Sequence, residues 1–250
     1  MRILIANDDG CDAPGLLLLA QAAQGLARDV WTVAPERKWT AASHQLSFDR
    51  DLDLTEIGER RYACSGAPAD CVVAAMTILF AGGAKPDLVL AGINDKRNVG
   101  EDVAYSGTVA IAREATFWGL PAICLSRVDG ADPAPTDLDA VTRVLAVLWR
   151  RRGEWVGDGA WLGVNLPAQL PARLAQARTG RDKIGSAVDI LEAVPGRVRY
   201  RLRRGRPGTA SPGDENACLD AGAISVVRYR WFGEAPLADA LIAEWSGALG

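Results

Sequence analysis

The chain has 250 residues, 49% of them hydrophobic and 24% charged, which is the make-up of a globular protein of one domain or one domain with an appendage. Its 28 basic and 31 acidic residues give a net charge of −3, so nothing attracts it generally to nucleic-acid polymers or membranes, and any phosphate affinity must be local. Five cysteines (Cys11, Cys64, Cys71, Cys124 and Cys218) without a C-x-x-C pair, and His44 as the single histidine, exclude a disulfide scaffold, a thiolate zinc site and a His-rich metal site.

Ile3-Leu4-Ile5-Ala6 is a short apolar run of the kind a buried strand shows, and it breaks into Asn7-Asp8-Asp9-Gly10. The apolar run stops too soon for a signal peptide. Residues 14–27 are predicted helical, with Pro14 at the opening position, Asp12 near enough to help cap, and an apolar face of Leu16, Leu19, Ala20, Ala23 and Leu26. Residues 30–34 form a second strand ended by Pro35, completing a βαβ unit. After a polar segment, residues 46–48, 52–54 and 61–64 alternate with period two and are predicted as short edge strands.

Residues 68–80 follow as a helix stopped by Gly82-Gly83, and residues 87–93 as a third core strand. The apolar stretch 71–84 is too short to span a bilayer, so a cytoplasmic setting is expected. A glycine-containing loop leads to a helix over 106–118 with Ser106 as N-cap, then a strand over 121–126. Residues 129–135 read as a surface loop, and Thr136-Asp137-Leu138-Asp139 as a capping-box-like start to a helix reaching Arg152. Beyond it come strands at 160–166 and 224–227, an arginine-alternating stretch at 198–202, a loop at 205–216 and a closing helix at 237–245. The fold class is α/β: a Rossmann-like, mostly parallel sheet with helices on both faces, and a smaller carboxyl-terminal elaboration beyond a core of residues 1–185.

Such folds bind ligands at the carboxyl ends of their strands. Asp8 and Asp9 follow the first strand, residues 40–44 the second, and residues 94–98 the third. Two adjacent carboxylates repel each other and resist burial unless a positive group joins them, which points to a divalent metal held by oxygen. Asn-Asp-Asp-Gly is also good turn chemistry. A receiver domain would end its third strand in a phosphoacceptor Asp, where this chain has Ala91-Gly92. A dinucleotide-binding turn would place glycines where Asp8 and Asp9 stand. His44 has the side chain suited to proton transfer near neutrality and is a candidate general acid, or else a structural residue holding its loop. Trp39 is either packed or available to stack on a base. Lys96 and Arg97 read as solvated charges, and the arginines of 198–206 as a solvated or subunit-facing strand.

The opening ILIANDDG with Ala13-Pro14-Gly15 resembles the SurE (survival protein) family of nucleotidases. Three further blocks resemble it in order: Ala34-Pro35-Glu36-Arg37 with Thr40 to His44; Ser65 to Cys71; and Pro86 to Val89 continuing to Gly92-Ile93-Asn94, then Asn98 to Val103 and Tyr105-Ser106-Gly107-Thr108-Val109. Val164 to Pro167 and Gly222 to Val226 are similar more faintly, so the resemblance spans essentially the whole chain as one SurE-like domain. It implies removal of phosphate from nucleoside 5′-monophosphates, with 3′-nucleotides, other small phosphate esters and polyphosphate as looser substrates. It implies one Mg2+ or Mn2+ per subunit, held by Asp8, Asp9, the Thr40 hydroxyl and Asn94, and assisting attack by water. Asp8 is then also catalytic, and Asn98, Ser106, Gly107 and Thr108 would bind phosphate. It further implies a homodimer or homotetramer built through residues 186–250. Departures are Thr40 for the usual Ser, Ala41 for Gly, Ala67 for Thr, and Asp95-Lys96-Arg97 where small residues are common. The altered loop motivates one alternative, a metal- or nucleotide-binding relative with little turnover.

Overall fold

The structure, a computed structural model, describes residues 1–128, 137–203, 205, 208–231, 233 and 237–248. A nine-stranded sheet carries the fold. Its centre is parallel: β1 (Arg2–Ala6) lies between β2 (Asp29–Pro35) and β5 (Leu88–Asn94), and β6 (Ala122–Arg127) and β7 (Ala160–Leu166) continue beyond β5. On the β2 side, β4 (Arg61–Cys64) pairs parallel and β3 (Leu54–Gly58) antiparallel. On the far side, β11 (Ile224–Arg230) runs antiparallel to β7, and β8 (Leu174–Gln176) closes the edge. A two-stranded hairpin, β9 (Ala187–Val194) with β10 (Arg197–Arg203), stands apart from the sheet.

Period-two alternation along the buried strands sorts their side chains into two cores. Ile3, Ile5, Leu90, Ile123 and Leu125 face α1 (Pro14–Gln24) and α5 (Leu138–Arg150). Leu4, Ala6, Val89, Ala91 and Cys124 face α2 (Pro68–Ala74) and α4 (Gly107–Phe117), the latter preceded by the single turn α3 (Asp102–Tyr105). Helices therefore cover both faces of a mostly parallel sheet, the expected α/β architecture. The first turn of α1 lies directly on the end of β5, where a β-carbon on Gly15 would stand 2.0 Å from the Ile93 carbonyl oxygen.

Several local expectations change. Residues 46–48 are not a strand: Ser47 gives its amide to Asp70 (3.1 Å) and Phe48 is exposed, so the alternation there has no neighbouring strand to pair with. Leu54 starts β3 rather than ending a strand over 52–54. Helix α1 has no side-chain cap from Asp12, and at α2 Ala67 lacks an acceptor, leaving Asp70 to supply the return half of the capping box at 2.7 Å. Helix α2 loosens into a π-helical segment, Ala75–Leu79. The loop expected over 205–216 ends instead in α6 (Glu215–Asp220), capped by Asp214. The loop expected over 129–135, and Thr136 of the start expected for α5, lie outside the described residues; Asp137 makes no side-chain cap and instead pairs with Arg127. The closing helix is α7 (Asp239–Gly247).

Candidate active site

Because β1, β2, β5 and β6 are parallel, the loops that leave their carboxyl ends share one rim of the sheet. Asn7 bridges its own turn through Gly10, donating from Nδ2 at 2.8 Å and accepting the Gly10 amide at 3.3 Å. That turn places Asp8, 6% exposed, against the amino terminus of α4. Thr108 Oγ1 donates to Asp8 Oδ1 at 2.5 Å. A β-carbon at Gly107 would lie 2.7 Å from Asp8 Cβ, 2.9 Å from Asp8 Oδ2 and 2.8 Å from Pro68 Cγ, so only glycine allows this approach. Ser106 caps α4 by accepting the Val109 amide at 3.1 Å. The amides of Gly107 and Thr108 belong to the first turn, which has no intrahelical acceptors to offer them.

The other strand-end loops are pinned to the same turn. Trp39 gives its amide to the Asp8 carbonyl (2.7 Å), and Ser43 gives its amide to Tyr105 (2.9 Å) and its hydroxyl to Ala104 (2.7 Å). Thr40 sits between these anchors, followed by Ala41 at φ 55°. From β5, the Asp95 amide reaches Asp9 Oδ2 at 3.3 Å, which carries Asn94 to the rim. Asn94 gives Nδ2 to the Lys96 carbonyl at 2.5 Å. Asp8, Asp9, Gly107 and Thr108 are thus in direct contact or adjacent in chain, while Thr40 and Asn94 each neighbour a residue bonded to the Asp8-Asp9 turn.

Electrostatics single out Asp8. Burial pushes its carboxyl up from 3.8 to about 6; Asp9 adds repulsion, and the Thr108 hydroxyl and Lys38 oppose the rise. Asp9 is compensated differently, since the Lys38 ammonium lies 2.5 Å from its Oδ1 and also 2.6 Å from Asp95 Oδ2.

The other residues singled out in the sequence direct their side chains to partners other than Asp8 and Asp9, or to solvent. His44 Nε2 bonds Glu114 Oε2 at 2.8 Å, and its ring stacks on Phe117 with centroids 5.3 Å apart. Glu114 is seven residues beyond Gly107, about 10 Å along the axis of α4, so the partner of His44 lies two turns along the helix from the glycine that meets Asp8. Asn98 gives Nδ2 to Ser126 Oγ (2.7 Å) and its amide to Asn165 (2.8 Å), fixing its loop to the ends of β6 and β7. Arg97 is not solvated as expected: it donates to Asn216 Oδ1 at 2.9 Å. Lys96 is exposed, and Trp39 packs under Arg37, whose guanidinium carbon is 4.9 Å from the ring centre.

The sequence profile of the family described as Survival protein SurE matches residues 3–186. The chain belongs to the SurE family. It is 38% identical over 237 residues to a protein of Paramagnetospirillum magneticum named 5′-nucleotidase SurE, covering 90% of this chain and 88% of that one. A protein of the same name from Cereibacter sphaeroides is 39% identical over 246 residues, covering 92% and 94%. The crystal structure of the SurE protein from Aquifex aeolicus superposes with a TM-score of 0.77 at 26% identity, covering 100% of this chain and 99% of that one.

Among the described residues, no group of three or more His, Cys, Asp or Glu side chains is disposed to hold a metal. A SurE metal would instead rest on two carboxylates supplemented by uncharged oxygens. The chemistry of the set fits a hard divalent cation: every donor is oxygen, and Asp8 is a buried carboxylate that accepts the Thr108 hydroxyl and, among the described residues, forms no ion pair.

Sequence reasoning missed Lys38 and the support given by α6. Lys38 stands two residues before Thr40, and that proximity to a candidate ligand was the available signal. Glu215 accepts the amides of Gly100 (2.9 Å) and Gly180 (3.2 Å) and the Tyr229 hydroxyl, tying the loop after β5 to the carboxyl-terminal segment. No sequence pattern announced that contact, because a buried glutamate in a six-residue helix resembles a solvated one.

Proposed function

We propose that this chain is a 5′-nucleotidase that removes phosphate from nucleoside monophosphates with the help of one Mg2+ or Mn2+. The single observation that carries the reading is the buried Asp8 carboxylate, set against the amino terminus of an eleven-residue helix and beside a second carboxylate. The names of the relatives supply the activity class.

Asp8, Asp9, Thr40 and Asn94 would hold the ion. When bound, such an ion neutralises charge on phosphate oxygens and lowers the pKa of a water. The chain's own contribution is positional. The Gly107 and Thr108 amides, together with the helix dipole, favour a phosphate beside Asp8. Thr108 holds Asp8 in one rotamer through its hydroxyl. Ser106 and Asn98 act as supports, the first by capping the helix and the second by fixing the loop after β5. His44 is assigned to the same supporting class, joining the Thr40 loop to α4 through Glu114.

The deciding experiment measures phosphate release from 5′- and 3′-nucleoside monophosphates. Release is expected with 5′-substrates, lost in EDTA and restored by Mg2+ or Mn2+. No release from any nucleotide with any divalent ion overturns the reading and leaves the binding-only alternative.

We also assign self-association to the β9–β10 hairpin, as a homodimer or homotetramer. Its cross-strand pairs Tyr200–Ile190 and Leu202–Val188 are apolar and exposed, a surface a lone subunit would leave in water. Sedimentation of a Tyr200→Glu, Leu202→Glu variant is expected to give monomer; an unchanged oligomer refutes the assignment.

A further inference from the structure

Lys38 is the one basic residue in contact with Asp8 or Asp9 among the described residues, and the reading above gives it no task. Its ammonium lies 2.5 Å from Asp9 Oδ1 and 2.6 Å from Asp95 Oδ2. The two carboxylates differ sharply in setting: the Asp9 side chain is 8% exposed and that of Asp95 51%. A single ammonium is therefore shared between a carboxylate that water barely reaches and one that water surrounds.

An ordinary surface ion pair has no reason to engage the nearly sealed partner, because exposed pairs contribute little. Without a positive neighbour Asp9 would face Asp8 uncompensated, a costly arrangement at low effective dielectric. The same contact places a fixed positive charge where a divalent cation would need the Asp9 oxygen. Asp95 supplies a second resting place within reach of the flexible lysine stem, so the ammonium need not leave the rim when it gives up Asp9. At the rim it stands beside the turn that receives phosphate, and an ammonium is a good point-charge ligand for that group.

We propose that Lys38 is an exchangeable counter-ion. It neutralises Asp9 until a divalent cation takes that carboxylate, and Asp95 then keeps the displaced ammonium at the rim as a phosphate-binding group. The inference rests on the metal reading above and adds a positioning residue to it. It also assigns Asp95 a purpose, that of holding Lys38 after the exchange.

The test uses the full chain and two probes. Mn2+ binding is followed by the spin-resonance signal of the free ion, and inorganic phosphate is then titrated calorimetrically into the Mn2+-saturated protein. Lys38→Met is expected to bind Mn2+ roughly tenfold more tightly, since a competing charge is gone, and phosphate roughly tenfold more weakly. Lys38→Arg keeps the charge and is expected to stay near the parent on both measurements. Unchanged or weaker Mn2+ binding by Lys38→Met overturns the exchange, and unchanged phosphate affinity overturns the phosphate role. A parent protein that binds no Mn2+, like an Asp9→Asn control, overturns the metal reading itself and is distinguishable from either result.

Discussion

Asp8→Asn separates what stabilises the fold from what serves the chemistry. In metal-free protein the buried Asp8 carboxyl is displaced from 3.8 to about 6, chiefly by burial. At about 1.4 kcal/mol for each tenfold change in proton affinity, charging it inside the fold costs about 3 kcal/mol. The sign follows from linkage. A carboxyl whose folded value is raised contributes its full stability below about pH 4, and that contribution is lost as pH climbs through 6. Asparagine never charges, so the variant avoids the loss, and its Oδ1 accepts the Thr108 hydroxyl as the carboxylate does. Against this, a neutral side chain forgoes attraction to the amino terminus of α4, worth about 0.5 to 1 kcal/mol. The net gain is about 2 kcal/mol at pH 8, or roughly 4 to 8 °C in melting temperature for a chain of this size. Thermal melts in EDTA at pH 5 and pH 8 measure it. The gain should shrink toward pH 5, added Mg2+ should raise the parent alone, and the variant should release no phosphate. A variant no more stable than the parent at pH 8, or a gain independent of pH, would refute the reasoning.

Gly107→Ala puts a β-carbon within 2.9 Å of Asp8 and Pro68 atoms that cannot easily move, and is expected to cost about 1 to 3 kcal/mol of stability and most of the activity. Denaturant unfolding together with phosphate release checks both halves. Ala41→Gly relieves a left-handed backbone at φ 55°, and after the extra entropy of unfolded glycine it should still stabilise the fold by about 0.5 to 1 kcal/mol. An unchanged unfolding midpoint would count against strain at that residue. His44→Ala strips a partner from the nearly buried Glu114, costing about 1 to 3 kcal/mol, while kcat should fall by less than about threefold. A loss of about a hundredfold or more would return His44 to proton transfer.

What could be read from the chain divides by how local the cause is. The core strands were legible because burial on both faces forces continuous apolar runs, and Pro14 and Ser106 mark helix starts by local chemistry. Strand β9 and helix α6 were not. In β9 the apolar residues Ile190 and Leu191 are consecutive, which blurs the alternation, and in α6 the buried Glu215 and Asn216 are satisfied by residues far away in sequence. The Leu46-Ser47-Phe48 alternation misled for the converse reason, since a strand pattern means nothing without a neighbour to pair with. At the candidate site, Asp8, Asp9, Gly107 and Thr108 were legible through the family resemblance, and the structure gathers them. The partners of His44 and Arg97 were not legible, because a long side chain's choice between solvent and a distant acceptor is made by tertiary contacts alone.

Those distant contacts also explain why the loop after β5 tolerates Asp95, Lys96 and Arg97. The loop is held on three sides, one of them by Arg97 itself, so its course does not depend on small residues between Asn94 and Asn98. Arg97 reaches Asn216, which in turn bonds Asp182 at 3.0 Å. Glu215 takes the Gly100 amide, and Glu101 takes Arg181 Nε and the Asp182 amide, both at 2.6 Å. Asn98 closes the third side on Ser126 and Asn165. The carboxyl-terminal segment, through α6 and residues 180–182, thus steadies the loop that carries Asn94, and none of its described residues forms an ion pair or side-chain hydrogen bond with Asp8 or Asp9. Its distance from the carboxylates is what allows this: the support can be polar and charged without adding a second cation to the pair that Lys38 already occupies.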